Sequence, residues 1–306
     1  MIDYDMSEAD YHARPEDSAS MIELFLRDRG AYREAREGKR RDRPTDEMIG
    51  GRYLHAGVLT PHELDRFVLA PSRLDVGQAG PDDPDALKRA DGRKKNGKDA
   101  VRAAKAAAKA SGATLVDPLY GVALPAILRA LADHPEAAPL LFPIDAGRNE
   151  ASMLWTDEET GRPMRARLDR VIHDRLLVPD LKTTEHGLPI RQTLATWHRY
   201  GYHRKAAVYI DGLRAITGKW YSMPLIGVTV HPERPRVFVR WLRPDDPATM
   251  IGRFEYRAAL RAIAECERTG EWREPWELEV DAPFELPAWA VQQAIGTLDL
   301  SEVGEA

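Results

Sequence analysis

The hydrophobic period changes several times along the second half of the chain, which predicts alternating strands and helices. From about Phe142, short runs alternate apolar and polar residues with a period of two, as strands with one buried face do. Longer segments between and after them carry apolar residues three and four positions apart and predict helices. The sequence predicts strands over 150–156, 163–172, 176–183, 223–230 and 236–242, and helices over 190–213 and 246–270. This order favours an α/β fold around one sheet.

The first part of the chain predicts short helices joined by loops. Ser18 or Ser20 can cap the first amphipathic helix. The segment that ends at Ser111-Gly112 is rich in alanine and lysine, which favour helix, and glycine is a common helix terminator. Apolar residues at helical spacing predict that the last helix of this part is buried, through Val122, Ile127, Leu128 and Leu131. The predicted helices cover 18–28, 60–72, 97–110 and 119–135.

Composition narrows the class of protein. A hydrophobic fraction of 43% and a charged fraction of 30% are typical of a folded globular chain. A single cysteine, Cys266, excludes a disulfide framework and a cysteine-based zinc site, and fits a reducing compartment. No apolar run approaches the roughly 18 residues of a membrane span, and the polar start shows no signal peptide. We therefore expect a cytoplasmic protein with no membrane partner.

The distribution of charge says more than its sum. The net charge of −5 does not by itself indicate a nucleic-acid partner. Positive charge is nevertheless concentrated in "GKRRDR" (38–43) and "GRKKNGKDAVRAAKAAAKA" (92–110). For the second segment, a solvated helix face and a DNA contact are equally good interpretations. Carboxylates clustered at a metal site would offset basic residues in the sum, so a negative net charge does not exclude a basic DNA-binding surface.

Two aspartates interrupt runs that otherwise predict buried strands. A turn centred between Asp174 and Arg175 places Asp169 directly opposite Asp180, with Cβ atoms roughly 4.5–5.5 Å apart. Like charges in that position destabilise a sheet unless a positive charge compensates them. A divalent cation between the two carboxylates would do so, and oxygen ligands suit Mg²⁺ or Mn²⁺.

Lys182 lies two residues after Asp180 and therefore on the same face of the strand. Its ammonium group could hold an attacking water or stabilise charge on a phosphoryl oxygen. The alternative is a solvated hairpin with ordinary surface charges. The apolar neighbours in "VIH" and "LLV" favour the buried interpretation.

Asp169, followed eleven positions later by "DLK", resembles the signature of PD-(D/E)XK nucleases; in this chain the second part is "PDLKTT". The wider pattern resembles the RecE/RecB-like branch, which contains phage exodeoxyribonuclease VIII-like enzymes. The resemblance extends from residue 6 to about 215. Its further segments are "MSEADYHARPEDSASMIELFLRDRGAYREA", "GGRYLHAGV", "DGRKKNGK", "HPEAAPLL" and "NEASMLWTDEETGRPMRARLDRV".

The resemblance implies an α/β fold with a restriction-endonuclease-like core. A central mixed sheet would be flanked by helices and preceded by an N-terminal helical extension. We expect one nuclease domain over residues 1–306. Its parts would be a helical segment over 1–112 that carries His55, the α/β core over 113–290 and a tail over 291–306.

The resemblance also implies roles for individual residues. Asp169, Asp180 and His55 would be metal ligands, Lys182 the catalytic lysine, and Glu150 a further acidic residue of the catalytic set. Without the resemblance, His55 is more simply an ordinary helix histidine, and Glu150 could be a charge at the rim of the site. His173 and His186 are expected in loops. The expected DNA-binding residues are Arg93, Lys95, Lys98, Lys205 and Tyr209.

One position departs from the family pattern. Family members carry Gln-x-x-x-Tyr on the helix after the DLK motif, whereas this chain has Lys205 before Tyr209. Lysine can contact a phosphate but cannot accept a hydrogen bond as glutamine can. Either Lys205 binds the DNA backbone directly, or this chain orders its active site differently.

The implied function is a Mg²⁺-dependent 5′→3′ exonuclease that acts on ends of double-stranded DNA and leaves 3′ single-stranded tails. A ring-shaped homo-oligomer and a phage single-strand annealing recombinase are the implied partners, in the cytoplasm of a bacterial host of a phage or prophage. Two alternatives stay open: an endonuclease or helicase-linked nuclease module of the same fold, and a non-catalytic DNA-binding or recombination partner.

Overall fold

The computed structural model describes residues 1–39, 44–83, 85–184, 190–277 and 288–297. The strands in these ranges are β1 (Ile2–Asp3), β2 (Phe67–Leu69), β3 (Thr114–Val116), β4 (Arg148–Thr156), β5 (Pro163–Val171), β6 (Asp180–Thr184), β7 (Met223–Thr229) and β8 (Val237–Leu242). The first helices are α1 (Glu8–Ala13), α2 (Ala19–Arg27), α3 (Arg29–Arg36), α4 (Asp46–Leu59), α5 (Lys95–Ser111) and α6 (Pro118–Asp133). The later helices are α7 (Ala138–Leu141), α8 (Ile190–Arg199), α9 (Tyr202–Thr217), α10 (Pro247–Thr269) and α11 (Ala288–Thr297).

Two three-stranded sheets form the centre of the fold. In one, β4 pairs antiparallel with β1 and β5; in the other, β7 pairs parallel with β6 and antiparallel with β8. Parallel and antiparallel pairs thus occur together with helices on both sides, which confirms the predicted α/β fold with mixed strand pairing. A separate parallel pair joins β2 and β3.

The predicted direct pairing of Asp169 with Asp180 is wrong. A bridge between Ile172 and Leu177 starts the expected hairpin in the expected register. Leu176, inside the turn that this bridge closes, adopts a left-handed conformation. After the bridge, Pro179, which lacks an N–H, precedes β6. The chain leaves β5 here, and β6 pairs with β7 instead. The ladder therefore opens between the two strands that carry the aspartates.

Apolar side chains cover both faces of the second sheet. On β7, Met223 and Leu225 belong to a core with residues of α2, α9 and α10. Ile226 and Val228 point to the opposite face and pack with residues of α4 and α6. All seven residues of β7 are buried, as expected for a strand between two helical layers. The sheet edge that opens between β5 and β6 lies between these two cores.

Helix α4 approaches its neighbours closely, and this approach positions His55. A Cβ atom at Gly50 would lie 2.0 Å from the ring of Tyr120, and one at Gly57 would lie 2.6 Å from Leu124. Glycine at these positions lets α4 and α6 pack with little separation. Thr45 caps the helix by accepting a hydrogen bond from Met48 N at 3.2 Å.

Two predicted helices differ from the structure. The helix predicted over 190–213 is two helices. The first ends at Arg199 and the second begins at Tyr202, and Gly201 between them has a φ of +69°. The helix predicted over 60–72 is a 3₁₀ turn over Pro61–Arg66 that continues into β2. Among the predicted apolar positions of α6, Ile127 and Leu131 are buried, whereas Val122 is 47% exposed. No helix within the described ranges is long and apolar enough to cross a membrane.

Candidate active site

Asp169 lies near the end of β5, where the sheet opens. Its Oδ2 accepts a hydrogen bond from the backbone N–H of Leu181 at 2.9 Å, which ties β5 to β6 without a ladder. Burial acts to raise the pKa of Asp169, but the charges of Lys182, His55 and Lys205 together hold that pKa below its ordinary range. The carboxylate is therefore ionised and oriented.

Asp180, the first residue of β6, is the most deeply buried carboxylate of the site. Its side chain is 1% exposed. Its Oδ1 lies 2.8 Å from Lys205 Nζ, and its Oδ2 is in contact with Lys182 Nζ. Neither oxygen forms a hydrogen bond of regular geometry, although the ammonium groups of Lys182 and Lys205 are both close. Ion pairing, and not a set of directional hydrogen bonds, neutralises this buried charge.

Lys182 lies where three oxygen atoms converge. Besides the contact with Asp180, its Nζ is 3.1 Å from the carbonyl oxygen of Leu181 and 3.7 Å from Asp169 Oδ2. The ring of Tyr202 lies 5.4 Å below the ammonium group. Its place beside both carboxylates fits the role predicted for the catalytic lysine.

His55 reaches the cluster from α4. Its Nε2 lies 2.7 Å from the carbonyl oxygen of Leu181 and must donate, because a carbonyl only accepts. In a neutral imidazole, Nδ1 then carries a lone pair, and it faces Asp169 Oδ2 at 3.6 Å. Both atoms are of a kind that binds a divalent cation. Metal-binding histidines are typically oriented in this way, with the second ring nitrogen donating to a carbonyl.

These features test whether the residues fit a divalent cation. Asp169, His55 and the carbonyl of Leu181 offer donors of a suitable kind on one side, and the Lys182 ammonium marks the point where they meet Asp180. Within the described residues, no three His, Cys, Asp or Glu side chains form a ready-made cluster. These donors are of the kind that binds a divalent cation, and Lys182 Nζ lies among them.

Glu150 lies on β4 opposite Asp169 of β5, between the ladder pairs Asn149–Arg170 and Ala151–Leu168. Its φ is +53°, a conformation that costs a non-glycine residue roughly 1–2 kcal/mol. Burial, with the adjacent charge of Asp169, raises the pKa of Glu150, although Arg167 Nε contacts it at 2.9 Å. A strained acidic residue thus borders the cluster, where it was expected.

Of the two predicted DNA-binding residues of α9, Tyr209 is buried and Lys205 is partly buried. Lys205 is paired with Asp180 and lies 5.0 Å from the ring of Tyr209. Tyr209 is 5% exposed, and its hydroxyl donates to the carbonyl of Arg167 at 2.8 Å. The expectation that Tyr209 contacts DNA is wrong for this structure, because neighbouring side chains cover it. Of the two explanations for Lys205, its position favours a different order within the active site.

The other predicted DNA-binding residues lie on the surface. The Arg93 side chain is 92% exposed, and its Nε contacts Asp91 at 3.0 Å. Lys95 begins α5, and both it and Lys98 are exposed. Their role in DNA binding stays a prediction. His186 and residues 40–43 of the first basic segment lie outside the described residues. His173 lies in a 3₁₀ turn between the hydroxyl groups of Tyr4 and Tyr221, each at 2.7 Å.

Two arginines of β5 also belong to the surroundings of the site, although the sequence pattern did not predict them. Arg165 and Arg167 alternate with apolar residues and share a face with Asp169. Arg165 donates to the carbonyl of Tyr11, and Arg167 donates to that of Met6 at 2.9 Å, so both attach the N-terminal segment to the site. The alternation in "RARLD" was the available signal.

A crystal structure of a protein from Eubacterium rectale named "Putative exonuclease" superposes with a TM-score of 0.57 over 95% of this chain and 98% of that chain, at 15% identity. A crystal structure of SSO0001 overlaps 53% of this chain and 73% of that chain at 17% identity, with a TM-score of only 0.27. No curated protein is significantly similar in sequence.

A family model of a "PDDEXK-like domain of unknown function (DUF3799)" matches residues 18–274 and so includes Asp169, Asp180 and Lys182. The structural likeness to the Eubacterium rectale protein shows a shared fold. The chain belongs to the PDDEXK-like family DUF3799 and has the PD-(D/E)XK nuclease fold.

Proposed function

We propose that this protein is a divalent-metal-dependent deoxyribonuclease, and specifically a 5′→3′ exonuclease that degrades one strand from the ends of linear duplex DNA. The observation that carries the proposal is the cluster of Asp169, the buried Asp180 and Lys182 at the opening between β5 and β6. A DNA-binding module has no need of two adjacent carboxylates around a lysine. The name of the Eubacterium rectale protein supports exonuclease activity as the first activity to test.

Each residue would contribute in its own way. Asp169, Asp180 and His55 would hold Mg²⁺ or Mn²⁺, which supplies an activated water and neutralises charge on the phosphate when bound. Lys182, released from Asp180, would place its ammonium group beside a non-bridging phosphate oxygen or the attacking water. The hydrogen bond from Leu181 N keeps the Asp169 carboxylate oriented throughout.

The finer parts of the proposal come from the family resemblance. They comprise the 5′→3′ polarity, the 3′ single-stranded tails, a ring-shaped homo-oligomer that encloses DNA and a single-strand annealing recombinase as partner. Such a protein would act in phage-type recombination in the bacterial cytoplasm.

The test compares DNA ends with uninterrupted DNA. The purified chain, with Mg²⁺ or Mn²⁺, is incubated with linear duplexes that carry a fluorophore at either the 5′ or the 3′ end, and with covalently closed circles. The proposal predicts early release of 5′-terminal nucleotides, a persistent 3′ label on long single strands and intact circles. Cleaved circles would indicate an endonuclease. Asp180→Asn serves as the inactive control. If the wild type binds DNA but cleaves it no faster than this control, the protein is non-catalytic.

A further inference from the structure

Asp180 is bound by two lysines, and the one from α9 is unexpected. Lys205 Nζ lies 2.8 Å from Oδ1, on the side opposite to the Lys182 contact with Oδ2. Its side chain is 22% exposed, and the ring of Tyr209 lies 5.0 Å from its ammonium group. The ion pair therefore places the Lys205 ammonium group directly against the carboxylate of Asp180.

The two lysines differ in their other contacts. Lys182 Nζ also approaches the carbonyl of Leu181 and the carboxylate of Asp169, so it occupies the point where oxygen atoms converge. Lys205 Nζ lies between Asp180 Oδ1 and the face of the Tyr209 ring. A divalent cation would compete with Lys182 for these oxygens. Among the described residues, the only carboxylate oxygen in ion-pair contact with Lys205 Nζ is Asp180 Oδ1.

We infer that Lys205 is a positioning residue that stays on Oδ1 of Asp180 when a divalent cation binds, and that its charge keeps cation affinity low. The inference rests on the proposed metal-dependent function. With Oδ1 held, only Oδ2 is turned toward the open side of the cluster. The Lys205 ammonium group, at ion-pair distance from Asp180, also offsets one negative charge of the site. This weakens the attraction of the site for a divalent metal ion.

Glutamine at this position separates the two effects. Its amide can donate a hydrogen bond to Oδ1 but carries no charge. Lys205→Gln should therefore keep Asp180 oriented, lower the melting temperature of the cation-free protein and bind Mn²⁺ roughly tenfold more tightly, since repulsion between like charges near the surface of a protein reaches this scale. Lys205→Arg keeps the charge and should resemble the wild type.

The experiment is calorimetric titration of the full chain with Mn²⁺ and with Ca²⁺, together with thermal unfolding with and without each ion. It uses the wild type, Lys205→Gln, Lys205→Arg and the control Lys105→Gln, which removes an exposed lysine of α5. The inference predicts tighter binding and a larger cation-induced rise in melting temperature for Lys205→Gln alone. Equal or weaker binding by that variant would overturn it, as would the same gain in Lys105→Gln.

A replacement variant and a separate cleavage assay distinguish failure of the Lys205 inference from failure of the proposed function. If Lys205→Gln does not fold, Lys205→Met, which preserves the aliphatic stem, takes its place with the same expected direction. Cleavage of linear DNA by the wild type is measured separately. Absence of cleavage with a cation affinity that responds to Lys205 would reject the proposed function alone. Cleavage with an unresponsive affinity would reject the role of Lys205 alone.

Discussion

Two buried charge clusters lie within this fold, and they are built differently. Around Asp211 of α9, Arg253 of α10 donates through Nε and Nη2 at 2.8–2.9 Å, and the Tyr256 hydroxyl donates at 2.8 Å. Around Asp180, two ammonium groups lie close without regular hydrogen-bond geometry. Both aspartates are less than 10% exposed. Both clusters bury a carboxylate, but only the Asp211 carboxylate accepts hydrogen bonds of regular geometry.

The difference follows from the side chains that each cluster uses. The planar guanidinium group of arginine matches both oxygens of a carboxylate and fixes it in place. Lysine presents a point charge on a flexible stem and can exchange partners with little distortion. The Asp211 cluster therefore fastens α10 to α9, whereas the Asp180 cluster can release an oxygen to a ligand. Perturbed, incompletely satisfied charges are typical of functional sites.

The largest expected effect concerns Asp180. Asp180→Ala should lower the rate of DNA cleavage by more than about 10³-fold, a loss at least as large as that of one transition-state hydrogen-bond donor. DNA binding, measured by fluorescence anisotropy, should persist. The cation-free protein should also be less stable, because Lys182 and Lys205 would lose their buried counter-charge. Full cleavage activity in this variant would show that Asp180 has no catalytic role.

Asp211 should show the opposite balance. Asp211→Asn leaves Arg253 without a charged partner and should lower the free energy of unfolding by about 2–4 kcal/mol. Denaturant titration gives this value, and cleavage per folded molecule should change little. Normal stability combined with lost cleavage would make the Asp211 cluster part of the site and would remove the contrast.

Glu150 offers a smaller effect that depends on pH. Its pKa is raised in the folded protein by burial and by Asp169, so ionisation of Glu150 costs stability as pH rises above its ordinary pKa. Glu150→Gln removes that cost and should stabilise the cation-free protein at neutral pH. At pH values below the ordinary range, where the acid is protonated in both states, the gain should vanish. Thermal unfolding between pH 4 and 8 measures the difference, and a gain that does not change with pH would contradict it.

The sequence predicts the fold well where the pattern is local. The strands β7 and β8 and the helix α10 lie within one or two residues of the predicted bounds, because hydrophobic period and glycine signals determine them. The closeness of Asp169 and Lys182 was also accessible, because the short turn over His173–Arg175 brings the chain back beside β5. The direct pairing of Asp169 with Asp180 was not.

Long-range partners were not accessible from the sequence. The charge that compensates Asp180 comes partly from Lys205, which lies 25 positions later on another element. Nothing in the local pattern of α9 distinguishes a lysine that faces a carboxylate from one that faces solvent. The exit of β6 toward β7 is likewise a choice between two pairing partners, which tertiary packing decides.

The smallest expected effect concerns exposed cations, which complete the contrast with the buried ones. Arg93 and Lys95 precede or begin α5, next to backbone N–H groups that the helix leaves free, so they could hold a terminal phosphate. Exposed contacts of this kind contribute about 0.2–1 kcal/mol each. Arg93→Ala combined with Lys95→Ala should therefore reduce cleavage of 5′-phosphorylated ends by roughly two- to thirtyfold. Ends with a 5′-hydroxyl should lose much less. Equal losses on 5′-phosphate and 5′-hydroxyl ends would indicate general attraction to DNA. In that case the affinity of the wild type for DNA should fall more steeply with salt than that of the double variant. No loss on either end would assign the segment to solvent, as its exposure and its contact with Asp91 also permit.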